Sequence, residues 1–106
     1  MPKYLWHVSY TVEGATGLLE EGGTSRRTAI KEMLESVGGS LEAFYYTLGS
    51  DDLVVIAELP DNVAAAALSL QTARGGAARS RTTVLLTPEE LDEATRRDVD
   101  YRLPGS

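Results

Sequence analysis

The sequence predicts an α+β domain in which one antiparallel sheet carries helices on a single face. Three observations predict it. Apolar residues switch between a period of two and a period of about 3.6 in the order β-α-β-β-α-β, with a terminal helix after them. Clusters of Gly, Pro, Asp and Asn punctuate most of the switches. A length of 106 residues, 42% of them apolar and 25% charged, suits one hydrophobic core and is too short for two.

The first strand is read over Lys3 to Val12, a run rich in aromatic and β-branched residues without Gly or Pro. Its alternation puts Tyr4, Trp6, Val8, Tyr10 and Val12 on one face and Leu5, His7, Ser9 and Thr11 on the other. Glu13 to Gly23 holds four glycines and reads as a loop, with room for a short helical turn over Ala15 to Glu21. Thr24 or Ser25 then caps a helix whose apolar positions Ile30, Met33, Leu34 and Val37 lie on one stripe, stopped by Gly38-Gly39. Leu41 to Leu48 and Leu53 to Leu59 form a hairpin across the turn Gly49-Ser50-Asp51-Asp52. Pro60-Asp61-Asn62 caps an Ala-rich helix over Val63 to Arg74, which Gly75-Gly76 ends. Ala78 to Leu86 is the last strand. Thr87-Pro88-Glu89-Glu90 opens a short helix to about Arg97 with a capping Thr, a first-turn Pro and a Glu at the third helical position. Residues 1–97 are thus one domain, and 98–106 a flexible C-terminal tail.

This order is the split β-α-β of ferredoxin-like folds, and right-handed crossovers give strand order 4-1-3-2 with both main helices on one face. Such a sheet needs apolar side chains on one side only. Here Leu53, Val55, Ala57 and Leu59 occupy one face of the third strand while Val54 and Ile56 occupy the other, and Phe44, Tyr46 and Leu48 oppose Leu41, Ala43 and Tyr45. Apolar residues on both faces predict a homo-oligomer. Its simplest form is a two-fold dimer whose sheets pack into a barrel-like core about 10 Å deep.

Charge and composition narrow the partners. Sixteen acids against ten bases give a net charge of -6, which repels nucleic acid and anionic lipid. No apolar run approaches the roughly 20 residues that span a bilayer. With no cysteine and no leader-like start, the expected compartment is the cytoplasm. One histidine and no cysteine do not assemble a common three-ligand zinc site, and no nucleotide fingerprint surrounds Gly22-Gly23 or Gly38-Gly39, so no metal or cofactor is expected.

His7 is the only histidine, the residue type whose unperturbed pKa lies near neutrality, and it is the acid/base candidate. Tyr10 and Tyr46 are the candidates to position a substrate or stabilise charge. Trp6, Ser9, Tyr45, Asp52 and Arg81 are candidate ligand contacts; Asp52 also suits a turn, and Arg81 suits edge-strand protection. A Ser9-His7 nucleophilic pair is disfavoured, because same-face neighbours stand about 6 to 7 Å apart on a strand.

The opening Met-Pro-Lys-Tyr-Leu, then Val8-Ser9-Tyr10-Thr11, Gly14 and Arg27 carry a resemblance that continues through Val37-Gly38-Gly39-Ser40-Leu41-Glu42-Ala43-Phe44-Tyr45. With Val54-Val55-Ile56 and Leu59-Pro60-Asp61, they resemble the GYD domain family from residue 1 to about 95. The resemblance implies a small dimeric α/β barrel with ferredoxin-like protomers, and no assigned reaction. The family's Gly, one variable residue, Tyr and Asp become Gly49-Ser50-Asp51-Asp52, so Asp51 stands where the Tyr would. Barrels of this type include oxygenases, cyclases and isomerases. Two expectations follow. One is a cofactor-free enzyme acting on an aromatic or polyketide-like metabolite with proton transfer at His7. The other is a non-catalytic small-molecule-binding or assembly module.

Overall fold

The computed structural model describes residues 1–106, with elements β1 (Lys3–Tyr10), α1 (Val12–Glu21), α2 (Gly23–Ser36), β2 (Ser40–Tyr46), β3 (Leu53–Glu58), α3 (Asn62–Gly75), β4 (Ala78–Leu85) and α4 (Pro88–Thr95). The four strands form one antiparallel sheet in the order β2-β3-β1-β4. This α+β arrangement is compatible with a ferredoxin-like protomer. No helix is long and apolar enough to cross a membrane.

Strand alternation decides where the core sits. Tyr4 and Trp6 of β1 share a face with Leu53, Val55 and Ala57 of β3, and these bury against Leu59, Leu34 of α2, and Ala65 and Leu68 of α3. Both long helices therefore cover the same side. Leu34, Leu53 and Leu59 are almost wholly buried, each stabilising the fold by about 1.5–3 kcal/mol, more than a typical surface ion pair of about 0–1. Tyr4 stacks on Trp6 with ring centres 5.7 Å apart, and its hydroxyl donates to Asn62 Oδ1 at 2.5 Å, tying the sheet to the start of α3. α2 lies over β2 and α3 over β4, which leaves a gap above the centre of the sheet.

Capping follows the sequence closely in α3 and α4. Asp61 accepts from the Ala64 N–H, Gly76 ends α3 in the left-handed region at φ 72°, and Thr87 with Glu90 makes a reciprocal capping box. Residues 98–106 lie exposed outside any helix or strand.

Three local expectations are corrected. The segment read as a loop, Glu13 to Gly23, is helical: Thr11 leaves the strand pairing and caps α1 by accepting from the Gly14 N–H. Gly14 is required by proximity, because a Cβ there would overlap the Ala77 carbonyl oxygen. Gly22, at φ 88°, joins α1 directly to α2, so α2 begins at Gly23 ahead of the expected Thr24 or Ser25 cap. The first strand correspondingly ends at Tyr10, and Val12 is exposed. The third correction is a bulge between Leu41 and Ala43. It moves Leu41 onto the helix-covered face with Phe44 and Tyr46, leaving Ala43 and Tyr45 on the other.

Candidate functional site

The residues singled out from the sequence fall on opposite faces of the sheet. Trp6, Tyr10 and Tyr46 lie on the helix-covered face, while His7, Ser9, Tyr45 and Arg81 lie on the open one, each set by its pairing register. The expected constellation of His7 with Tyr10 and Tyr46 is therefore corrected. A sheet stands between the imidazole and both phenols.

On the covered face, a cavity of about 70 Å³ occupies the gap between α2 and α3. Trp6 and Val55 form its floor, Arg26 and Ile30 one wall, and Ser69 and Thr72 the other. The Tyr10 side chain projects into it from the end of β1. Its hydroxyl is buried and has no hydrogen-bond partner. The Tyr46 hydroxyl, in contrast, donates to the Gly23 carbonyl at 3.1 Å, and its ring meets Phe44 edge-on at 5.3 Å. Tyr46 thus fastens the start of α2 to the edge of the sheet. Burial pushes both phenols above their ordinary value; the proximity of Tyr46 adds to the rise at Tyr10, and Arg26 opposes it at both. Both stay protonated at neutral pH and can donate a hydrogen bond.

On the open face, Asp51 is the hub. One carboxylate oxygen accepts from Ser9 Oγ at 3.1 Å; the other accepts from Arg81 Nη2 at 2.8 Å and stands 3.5 Å from His7 Nδ1. The hydrogen bond from Arg81 does most to hold the Asp51 carboxyl below its ordinary value, against burial, with Ser9 and His7 assisting. Only 17% of the Asp51 side chain is exposed, against 69% for Arg81. The arrangement can orient the His7 ring through its Nδ1. The 6 to 7 Å objection to a Ser9-His7 pair is reinforced by geometry, since Ser9 donates its hydroxyl proton to Asp51.

Asp52 works on the backbone. Its carboxylate accepts from the Tyr10 N–H at 2.8 Å and its own N–H donates to the Val8 carbonyl at 2.8 Å, so it holds the end of β1. Tyr45 projects from the open face with 71% of its surface exposed. No three His, Asp or Glu side chains converge as metal ligands.

Two site residues escaped the sequence reading. Asp51 was visible only as the position departing from the family pattern. Arg26 had a clearer signal: it lies four residues before Ile30, which puts a cation at the head of the apolar stripe of α2.

The family model of the GYD domain matches residues 4–95 of the chain. No curated protein matches it.

Proposed function

The chain belongs to the GYD domain family, and from that premise we propose that it is a homodimeric small-molecule-binding module. The cavity between α2, α3 and the sheet takes the ligand, and the open face packs against a second copy. The observation that carries the reading is the cavity itself, with an aromatic floor and one buried, unpartnered hydroxyl from Tyr10. Binding pockets commonly combine an apolar lining with a few convergent polar groups. The dimer is supported by the open face, where Leu5, Val54 and Ile56 are half-buried with no helix over them and Tyr45 is exposed. Two sheets packed face to face about 10 Å apart would remove these side chains from water in a barrel-like core.

The catalytic reading, a cofactor-free cyclase, isomerase or oxygenase working on an aromatic or polyketide-like metabolite, has one observation in its favour: Asp51 stands beside His7 Nδ1 as an orienting carboxylate. It has to do its chemistry on the open face, inside the dimer, without Tyr10 or Tyr46. The binding reading needs no such rearrangement.

Two measurements test the proposal. Sedimentation at micromolar concentration should give a particle of twice 11.4 kDa. Toluene should shift the emission of Trp6, the sole tryptophan, and raise the melting temperature. A particle of 11.4 kDa removes the dimer, and a Trp6 spectrum indifferent to saturating toluene removes the cavity as a binding site.

A further inference from the structure

Resting on the reading of the cavity as a ligand site, we propose that it selects a small planar apolar molecule bearing one carboxylate, held jointly by Tyr10 and Arg26. Two groups at the cavity lack partners. The Tyr10 hydroxyl is buried and unbonded. Arg26, half-buried on the wall from α2, forms no ion pair; the chain's ion pairs use Lys3, His7, Arg81 and Arg97. The acid acting on neighbouring Tyr46 is Glu21, and it already accepts from the Ser25 hydroxyl at 3.0 Å.

A water molecule or a neutral carbonyl would satisfy the phenol alone. An anionic oxygen group satisfies both, because a guanidinium that donates to the phenol oxygen still leaves the phenol O–H without an acceptor and its own charge without a counterion. Desolvation keeps Tyr10 in that donor form. Arg26 is near enough to act electrostatically on both Tyr10 and Tyr46, which places its charge on the side of the cavity where the hydroxyls lie. The remainder of the lining is apolar, with Trp6, Val55, Ile30 and Met33 available to a ring. The volume of about 70 Å³ is near half the 150 Å³ of an apolar cavity known to admit benzene, so the ring must be single and Met33 must yield to it.

The test compares benzoate, benzamide and toluene as probes, read by Trp6 emission and by thermal shift at neutral pH. Benzoate should bind at least about tenfold more tightly than benzamide, which has the same shape without the charge. Tyr10→Phe and Arg26→Gln should each weaken benzoate about tenfold more than they weaken toluene. Benzamide equal to benzoate overturns the proposal while toluene binding leaves the cavity reading intact. Silence from all three probes overturns both. The probe comparison on the unaltered protein decides the matter even where a variant fails to fold.

Discussion

Replacing Tyr10 by Phe should make the ligand-free protein more stable, against the usual direction of a substitution near the core. The hydroxyl is buried and has no partner in hydrogen-bonding geometry, although Arg26 and Tyr46 stand close enough to act on it. An unmet buried polar group costs about 1–3 kcal/mol. Since Tyr10 as a whole is only half-buried, the lower end applies, and the gain expected from Phe is about 1 kcal/mol. For a domain of this size that raises the melting temperature by about 5 °C. Removing one oxygen leaves ring packing intact, so the cavity term that dominates large-to-small substitutions is negligible. Tyr46→Phe is the matched control, because its hydroxyl does donate, to Gly23 at 3.1 Å, and its loss should cost about 1 kcal/mol. Urea unfolding followed by Trp6 fluorescence measures both. The ranking should reverse in benzoate at about a hundred times its dissociation constant, where the native protein gains about 2.7 kcal/mol and Tyr10→Phe gains less. A destabilised Tyr10→Phe in the absence of ligand would show that the hydroxyl is bonded, and the reasoning behind the ligand class would fail with it.

Glycines 14 and 17 of α1 should respond oppositely to Ala. Gly14→Ala drives a methyl into the Ala77 carbonyl and should cost about 2 kcal/mol, whereas Gly17→Ala, with open space around it, should gain about 0.5–1 kcal/mol by helix propensity; thermal melts separate them. Asp51→Asn should flatten the acid limb of the stability curve. Because the folded carboxyl titrates below its ordinary 3.8, its stabilising effect is present above that value and is lost as pH falls through the lowered folded value; urea titrations across that window, at low and high salt, measure it. Ile56→Asp, on the open face opposite Leu5, should shift sedimentation from twice 11.4 kDa to a single folded chain. A dimer that survives this substitution would place the interface elsewhere.

The strands, the two long helices and the final capping box were legible in the sequence because local chemistry and tertiary need agree there. Asp61 and Gly76 punctuate α3, and Thr87 with Glu90 opens α4. α1 was not legible. Gly14 and Gly17 argue against a helix by propensity, and only the close approach of Ala77 explains the first of them. The bulge at Glu42 was equally hidden, since strict alternation assigns Leu41 to the face it does not occupy. For the site, alternation along β1 already separates His7 and Ser9 from Trp6 and Tyr10. Pooling them as one pocket overrode that alternation, and the register restores it. Asp51 could not be found from spacing, because its partners come from two strands, β1 and β4, that are far apart in the chain and brought together by the sheet.

β1 therefore serves two surfaces with one run of residues. Trp6, Val8 and Tyr10 line the cavity, and the strand's odd positions line the open face. The Asp51-Asp52 pair joins the two at the strand's end. Asp51 gathers Ser9, His7 and Arg81 on the open side, while Asp52 bonds the backbone of Tyr10, whose hydroxyl stands in the cavity. In the dimer proposed above, closure over the open face would fix Asp51 and its partners. The adjoining residue would then restrain the backbone from which Tyr10 projects. Rigid elements hold binding groups better than loops do. A sheet with its open side covered is the more rigid platform for the phenol, which gives assembly a physical reason beyond hiding Leu5, Val54 and Ile56.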